Sequence, residues 1–394
     1  MNISAIDGEV DETSPVALAA QLVKVPSITP TDGGCQEILI RRLESLGFRV
    51  HRLRFGVVEN FYARLGSHGK NFCFAGHTDV VPAGDREQWV CDPFAGEIRG
   101  KHLIGRGVAD MKGGLAAMTV AVERFLQSRP DFAQNHSLSF LITGDEEADA
   151  LDGTVKVLTW LREQGETLDF CLVGEPTSIE TLGDCMKLGR RGSVNGTLCI
   201  HGKQGHVAHP HLADNPIHRA MALLAQMVEL RLDTGDTHFQ PSSLQVTSLQ
   251  AGEGANNVIP GHLTVQFNIR FSPASTPASM EAAIRAILDA GDLPLGYDLT
   301  LTVSGLPFIT ESGLLGECVD QAVREILDTV PVPSTGGGTS DARFIHHDCP
   351  QTLELGLVGK TIHKVNESVL LTDLERLTSV YQRVLEILFY QRSL

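Results

Sequence analysis

The order of predicted strands and helices changes after about residue 191 and reverts after residue 304, and this interruption constrains the fold more than any other feature of the sequence. Up to about residue 191, short apolar runs alternate with helical patterns, which is typical of an α/β domain with a largely parallel sheet. Residues 192–304 instead give the order β-α-β-β-α-β, a split βαβ unit that is complete in itself. The α/β pattern then resumes over residues 305–394.

We therefore predict a two-domain α/β protein. Residues 1–191 and 305–394 are expected to form one domain, a mixed, largely parallel sheet with helices on both faces, and residues 192–304 an inserted second domain. The length of 394 residues favours this division, because a single hydrophobic core seldom grows beyond about 250–300 residues.

Local signals predict where some helices begin. Ser14 before Pro15 is the favoured order at a helix start. Asp214 is predicted to cap the first helix of the insert, and Thr372 with Glu375 to form a capping box before the last helix.

The charge balance excludes some classes of partner. The chain has 32 basic and 48 acidic residues, a net charge of −16, whereas nucleic-acid and anionic-membrane partners require a basic face. The first residues lack the basic start and apolar core of a signal peptide, and no apolar run is long enough to cross a bilayer. Eight cysteines are scattered without a CxxC pair, which favours reduced thiols and a cytoplasmic protein.

Side chains of the types that bind metals follow five predicted strands or turns. They are His77 with Asp79, Asp110, the acidic run Asp145-Glu146-Glu147, Glu175 and His363. Ligand sites favour the carboxyl ends of parallel strands, so the repetition of these residue types there predicts one site.

Each of these motifs also has a simpler interpretation. His77 alone is more typical of a surface loop than of a metal site. Asp110 stands at a helix entry, where an acid often interacts with the helix dipole. The acidic run 145–147 is compatible with an exposed turn, although three adjacent acids repel one another unless a cation or proton neutralises them.

Two histidines with three carboxylates exceed the three protein ligands that one catalytic zinc ion typically takes. The set fits two metal ions roughly 3.5–4 Å apart that share a carboxylate and an activated water. The mixture of nitrogen and oxygen ligands suits Zn²⁺, with Co²⁺ or Mn²⁺ as alternatives.

The runs HTDVVP, GRGVADMKGG, TGDEE and VGEPT resemble, in this order, the motifs of the di-zinc aminoacylase and carboxypeptidase family. The resemblance covers nearly the whole chain and implies an α/β metal-dependent amide hydrolase. Carried over position by position, it implies the following roles: His77 and Glu175 bind one zinc ion, Glu147 and His363 bind the other, Asp110 bridges them, Glu146 is the general base and Asp79 is the partner of His77.

The resemblance also implies that the insert is a lid and dimerisation domain of a homodimer. His206, in the run GKQGHVAH, would reach the active site of the partner subunit and donate to the oxyanion. From the sequence alone, a histidine in a glycine-flanked loop is more often without such a role.

Candidates for binding the carboxylates of an anionic substrate are Arg190, Arg191 and Arg270, because guanidinium groups bind carboxylates through two parallel hydrogen bonds. Surface salt bridges are the alternative explanation. Gly338, Thr339 and Ser340 offer backbone and hydroxyl donors, and a tight structural turn explains this glycine-rich run nearly as well.

The runs GRRGSVNG, GGGTSDARFI and TIHKVNE resemble family members that remove a succinyl group from a diamino acid. The expected reaction is therefore hydrolysis of N-succinyl-L,L-2,6-diaminopimelate to succinate and L,L-diaminopimelate. The alternative is deacylation of another N-acyl amino acid, such as N-acetylornithine. This alternative stays open because His209 and Gly359 depart from the pattern of the family members that remove a succinyl group. A non-catalytic metal-binding scaffold is disfavoured because Glu146 would then have no role.

Overall fold

The computed structural model describes residues 13–311 and 313–391. The chain divides into two compact units. The first comprises the chain up to Leu188 together with Thr310–Ser334 and Ser340–Leu394, and the second comprises Gly189–Ile309 together with Thr335–Thr339. The predicted insert lies within the second unit, and its role as a lid and dimerisation domain stays a prediction.

The strands are numbered in chain order. They are β1 (Arg49–Phe55), β2 (Val58–Leu65), β3 (Asn71–His77), β4 (Glu97–Arg99), β5 (His102–Ile104), β6 (Ser137–Thr143), β7 (Phe170–Val173), β8 (Cys185–Lys187), β9 (Gly189–Arg190), β10 (Gly192–His201), β11 (Gly205–His206), β12 (Ser243–Ala251), β13 (Val258–Ile259), β14 (His262–Phe271), β15 (Tyr297–Gly305), β16 (Phe308–Ile309), β17 (Val332–Ser334), β18 (Thr352–Glu354) and β19 (Ser368–Leu370).

The α-helices are numbered in the same way. They are α1 (Pro15–Val23), α2 (Cys35–Ser45), α3 (Gly113–Ser128), α4 (Phe132–Asn135), α5 (Thr154–Glu163), α6 (Pro216–Val228), α7 (Pro277–Asp289), α8 (Leu314–Leu327), α9 (Ala342–Ile345) and α10 (Leu371–Tyr390).

The first unit is built on an eight-stranded sheet in the order β1-β2-β6-β3-β7-β18-β8-β17. Its central strands β6, β3, β7 and β18 run parallel to one another, whereas β1 and β2 are antiparallel at one edge. The predicted α/β fold with a mixed, largely parallel sheet is confirmed. Because β6, β3 and β7 are adjacent and parallel, the residues that follow them meet at the same edge.

The central strands of this sheet are buried along their whole length. Every residue of β3, β6 and β7 is buried, which explains why these strands are continuous apolar runs rather than alternating patterns. The Phe74 ring of β3 lies between those of Phe140 and Tyr381, with centroid distances of 5.7 Å and 5.4 Å. Burial of the central strands and this aromatic packing therefore stabilise the middle of the sheet. The ends of the strands can then carry polar side chains.

The second unit is an antiparallel sheet in the order β12-β14-β10-β15. Alternate residues of β14 are buried, as expected for a sheet with one face against a core. Buried residues of α6 and α7, among them Leu223, Met227, Met280 and Ile284, form that core together with the sheet.

The predicted helix starts are partly confirmed. The Ser14 hydroxyl accepts the N–H of Ala17 at the start of α1. At α6 the prediction of Asp214 is wrong by one residue, because Asn215 caps the helix and accepts the N–H of Ile217. The predicted capping box of the last helix is also wrong: β19 continues directly into α10, whose first N–H, that of Leu371, donates to the carbonyl of Lys101 at 2.9 Å.

Asp233 is the main polar anchor of the second unit. Its Oδ1 accepts the N–H groups of Gly235 and Ser242 at 2.9 Å and 3.0 Å. Its Oδ2 accepts the hydroxyls of Ser272 at 3.0 Å and Ser275 at 2.6 Å, and that of Ser242. Partial burial raises the pKa of Asp233, but these hydrogen bonds outweigh it and hold that pKa below its usual range.

Asp233→Asn is expected to lower the free energy of unfolding at pH 7 by about 1–3 kcal/mol, because several donors lose a charged acceptor. A lowered folded-state pKa gives stability that is present above the unfolded pKa, about 3.9, and is lost as the pH falls below it. Urea unfolding of wild type and variant should therefore differ at pH 7 and converge in acid. The control Asp289→Asn removes an exposed carboxylate that accepts the Tyr297 hydroxyl, and an equal loss in both variants would contradict the prediction.

Candidate active site

Three of the predicted ligand segments follow adjacent parallel strands. His77 is the last residue of β3, Glu146 and Glu147 follow β6, and Glu175 follows β7. His77 Nε2 lies 3.6 Å from Glu175 Oε1. The parallel alignment of the strands thus brings together side chains that are about 100 residues apart in the sequence.

Asp110 reaches the same place from an irregular turn between β5 and α3. Its φ of −124° and ψ of 94° are not helical, and the Asp110–Met111 peptide bond is cis. Gly107 precedes it with a φ of 80°, and a Cβ at this position would lie 2.2 Å from Val80 Cγ1. Only glycine therefore fits this turn, and the turn directs a buried carboxylate toward the strand ends.

His363 comes from the loop between β18 and β19. Its backbone adopts a left-handed φ of 60°, which is uncommon outside glycine. His363 Nε2 lies 3.1 Å from Glu147 Oε1. Its side chain is 49% exposed, compared with 1% for His77, so the two imidazoles differ strongly in access to solvent.

The two oxygens of Asp110 face different histidines. Oδ1 lies 3.3 Å from His77 Nε2, and Oδ2 lies 3.4 Å from His363 Nε2. Glu175 is on the side of His77 and Glu147 on the side of His363. The carboxylate of Asp110 is therefore shared between two groups of ligand-type side chains.

Asp79 lies beside His77 and contacts it more closely through its backbone carbonyl than through its carboxylate. His77 Nδ1 lies 2.9 Å from the backbone carbonyl of Asp79 and 3.5 Å from its Oδ1. Because a carbonyl only accepts, Nδ1 carries the proton and Nε2 keeps its lone pair for a metal. The Asp79 carboxylate instead accepts the N–H groups of Glu146 at 3.3 Å and Glu147 at 3.1 Å. It thereby holds the acidic turn in place.

The histidines respond to the negative charge around them. Burial lowers the pKa of His77, but its hydrogen bonds with Asp110 and Asp79 and the charge of Glu175 raise that pKa well above its usual value. Hydrogen bonds to Asp110 and Glu147 raise the pKa of His363 to about 10. The site therefore favours positive charge between its carboxylates, and a bound cation supplies such charge.

Glu146 lies among these groups and has a perturbed carboxyl. Burial and the charge of Glu175 raise the pKa of Glu146 well above its usual value. Its side chain is 11% exposed, and its Oε1 lies 3.9 Å from Arg343 Nη1. A carboxyl with a raised pKa is closer to the range in which a general base works at neutral pH.

The side chains present fit divalent metal ions. Two groups have ligand atoms within 4.8 Å of one another: His77, Glu146 and Glu175 form one, and His77, Asp110 and Glu147 form the other. Imidazole nitrogen and carboxylate oxygen together suit zinc and similar transition metals. Glu146 lies within the same range as the predicted ligands, so its distinct role as a base comes from the resemblance and not from these distances.

Two charged residues of this site were not singled out from the sequence. Arg343, in α9, has an 8% exposed side chain next to Glu146. Asp341 is buried, accepts the hydroxyl of Thr154 at 2.6 Å, and has a pKa that burial raises to about 6. An acid and an arginine within the otherwise apolar run 341–345 are the signal that could have revealed them.

The arginines predicted to bind substrate lie in the second unit. Arg190 is buried in β9, and its Nη1 donates to the carbonyl of Gly338 at 3.1 Å. Arg270 lies on β14, where it pairs with Ser193 of β10. Burial lowers the pKa of Arg191, and its Nε has no hydrogen-bond partner among the described residues. Their role in substrate binding stays a prediction.

The glycine-rich run is divided between the two units. Gly338 and Thr339 belong to the second unit, whereas Ser340 belongs to the first. Ser340 is fully buried, and its hydroxyl donates to Glu354 Oε1 at 2.5 Å. Because that hydroxyl already has an acceptor in the protein, the backbone of this run is the better candidate for a substrate donor.

His206 lies at the end of β11, which pairs with β13. It is exposed, and its Nδ1 accepts the N–H of Ala208 at 3.1 Å. This bond requires the proton on Nε2, which is therefore a donor that points away from the loop backbone. Its predicted role in a partner's active site stays a prediction.

Residues 73–387 match the model of peptidase family M20/M25/M40. The match spans most of β3 and all later strands, and it includes the acidic turn and the His363 loop. The chain belongs to peptidase family M20/M25/M40. It is therefore a hydrolase of a metal-dependent family, as the resemblance of its sequence motifs implied.

Relatives of this family are similar over almost the full chain. The succinyl-diaminopimelate desuccinylase of Magnetococcus marinus is 62% identical over 375 residues, which cover 95% of this chain and 98% of the relative. The enzyme of the same name from Nitrosospira multiformis is 48% identical over 377 residues, which cover 96% and 99%.

Solved structures of the family share the fold. A metallo-carboxypeptidase of the M20 family from Sulfolobus solfataricus superposes with a TM-score of 0.78 at 16% identity and covers 96% of this chain and 99% of its own. A dinuclear metal-binding M20 peptidase from Bacillus subtilis gives a TM-score of 0.67 at 15% identity, with 95% and 97% covered. At these identities the likeness concerns the fold alone.

Within residues 13–311 and 313–391, no helix is both long enough and apolar enough to cross a membrane.

Asp110→Asn is expected to weaken the binding of both metal ions by more than about tenfold, because one carboxylate faces both histidines. Metal content after gel filtration, measured by atomic emission, checks this expectation. Asp131→Asn, at an exposed position, is the matched control and should bind metal as the wild type does. A full complement of metal in Asp110→Asn would contradict the shared position of this carboxylate.

Proposed function

We propose that this protein hydrolyses the amide bond of N-succinyl-L,L-2,6-diaminopimelate and releases succinate and L,L-diaminopimelate. The substrate is supported by desuccinylases at 62% and 48% identity over at least 95% of the chain. The chemistry is supported by one observation above all, the Asp110 carboxylate that faces one imidazole with each oxygen.

Zinc is the proposed metal, with Co²⁺ or Mn²⁺ as substitutes. His77 and Glu175 would hold one ion, His363 and Glu147 the other, and Asp110 both. When bound, the two ions would supply Lewis-acid chemistry, lowering the pKa of a water and polarising the carbonyl of the substrate.

Glu146 is the proposed general base. Its carboxylate takes a proton from the attacking water and later gives that proton to the departing amine, so the amide bond breaks without releasing a strong base. The Asp79 carboxylate orients Glu146 by accepting its backbone N–H. Arg343, 3.9 Å away, keeps positive charge beside the carboxylate while the proton moves.

The carboxylates of the substrate are proposed to bind Arg190, Arg191 and Arg270 and the backbone donors of Gly338, Thr339 and Ser340. Such groups are needed because the chain carries a net charge of −16, which repels an anionic substrate. Guanidinium groups counter this repulsion locally through paired hydrogen bonds to a carboxylate.

The second unit is proposed to act as a lid and to form the dimer, with His206 donating to the oxyanion in the partner's active site. The Nε2 proton that the Ala208 contact requires supports a donor role. Buried free cysteines such as Cys73 and Cys171 suit a reducing compartment, and we propose the cytoplasm.

The proposed reaction is tested by incubating zinc-loaded protein with N-succinyl-L,L-diaminopimelate and, separately, with N-acetylornithine. Succinate release that a chelator abolishes is expected, with little acetate release. Glu146→Gln should keep its metal and lose about 10²–10⁴-fold in kcat, whereas Asp149→Asn, an exposed neighbour, should remain active. Preferential acetate release would overturn the substrate, and an active Glu146→Gln would overturn the base.

His206→Ala is expected to lower kcat without changing metal content, because an oxyanion donor contributes roughly 10²–10³-fold. If the donor acts across a dimer, mixing His206→Ala with Glu146→Gln creates one intact site in each mixed dimer. Activity should then recover to about a quarter of wild type after subunit exchange. No recovery would contradict a role in the partner's site, and His211→Ala, at an exposed position nearby, is the matched control.

A further inference from the structure

Glu367 is a buried acid that the proposed mechanism does not use. It is fully buried, and it ends the loop that carries His363. Among the described residues, the clusters of ligand-type side chains do not include it. Burial of a carboxylate is unfavourable unless hydrogen bonds or an opposite charge compensate it.

The compensation comes from the turn that carries Asp110. Oε2 of Glu367 accepts the N–H of Gly107 at 3.0 Å, and Oε1 accepts the N–H groups of Ala109 at 2.9 Å and Asp110 at 3.2 Å. The backbone carbonyl of Glu367 also accepts the N–H of Gly105 at 2.9 Å. One residue thus binds most of the backbone N–H groups of this turn.

Arg106 supplies the opposite charge within the same turn. Its Nη1 donates to Glu367 Oε2 at 2.7 Å, and its side chain is 3% exposed. The guanidinium lies 5.3 Å from the ring centroid of Trp89, and the Trp89 indole N–H donates to the carbonyl of Ala83 at 3.0 Å. The ion pair therefore has a fixed position and does not depend on solvent.

This arrangement matters because the backbone is irregular at Asp110. The N–H of Lys112 donates to the carbonyl of Gly107 at 2.8 Å and so closes one wide helical turn, but Asp110 within it is not helical. The contacts of Glu367 supply further hydrogen bonds to this irregular stretch. The same residue directly follows the His363 loop, so it ties together the two segments whose side chains must meet.

We infer that Glu367 is a positioning residue for the metal centre: it holds the Asp110 turn in register with the His363 loop and so sets the position of the shared carboxylate. This inference rests on the proposed role of Asp110 as a ligand of both ions. Glu367 acts through backbone groups and touches no reacting atom.

The test is Glu367→Gln, which keeps the shape of the side chain but removes its charge and replaces one acceptor with a donor. Zinc affinity, measured by competition with a chromophoric chelator, is expected to fall by about 10–100-fold. The visible spectrum of the Co²⁺-loaded variant should change, because the spectrum reports ligand geometry. Peptide-level hydrogen exchange should accelerate over residues 105–110.

Glu123→Gln is the matched control. Glu123 forms a bidentate pair with Arg42, at 2.7 Å and 2.9 Å, so its loss removes a comparable ion pair elsewhere in the first unit. It should leave zinc affinity, the Co²⁺ spectrum and exchange over 105–110 unchanged. Folded Glu367→Gln with wild-type values of all three would overturn the inference.

A second variant covers the case in which Glu367→Gln does not fold. Arg106→Lys keeps the charge but loses the planar contact with Trp89, and it is expected to weaken zinc binding less, by about tenfold. Wild-type affinity in this variant would then overturn the inference.

The failure of this inference can be told apart from the failure of the proposed function. If Asp110→Asn keeps both ions, the proposed metal centre itself is wrong. If Asp110→Asn loses metal but the Glu367 and Arg106 variants bind it normally, only the positioning role is wrong.

Discussion

Negative charge gathered at the ends of three parallel strands is the constraint on which the rest of the first unit depends. Among the described residues, Asp110, Glu147 and Glu175 face two imidazoles, and like charges repel strongly where water is scarce. Asp79 and Glu367 add two more buried carboxylates beside them, and backbone N–H groups that donate to these two acids compensate their burial. The same concentration of negative charge that favours a bound cation thus also explains why many backbone N–H groups in these loops donate to carboxylates.

The sequence indicated which side chains come close together where these residues follow recognisable strands. Buried parallel strands are long apolar runs, and a His or Glu at or just beyond the end of such a run, as at His77 and Glu175, lies at the shared edge. The contacts of the Asp79 carboxylate and the roles of Arg343 and Glu367 escaped prediction. They depend on the path of irregular backbone, such as the left-handed residue His363, and apolar periodicity carries no information about such paths.

Fold class and helix existence were likewise easier to predict than helix ends. The capping pattern at Thr372 has the right residue types, but β19 leads straight into α10 and a distant carbonyl, that of Lys101, accepts the first free N–H. The capping residue of α6 was wrong by one position. In the same way, Thr335–Thr339 belongs to the second unit, although it is far from the rest of that unit in the sequence. The residues around it in the sequence do not reveal this.

The chain order of the strands has a consequence for synthesis on the ribosome. The second unit takes nearly all its residues from one continuous stretch, Gly189–Ile309, so it can fold as soon as that stretch has emerged. The large sheet cannot close so early, because β18, residues Thr352–Glu354, lies between β7 and β8. Until the last part of the chain emerges, the apolar edge of β7 lacks a neighbour, and this interval is when the nascent protein most needs protection from aggregation.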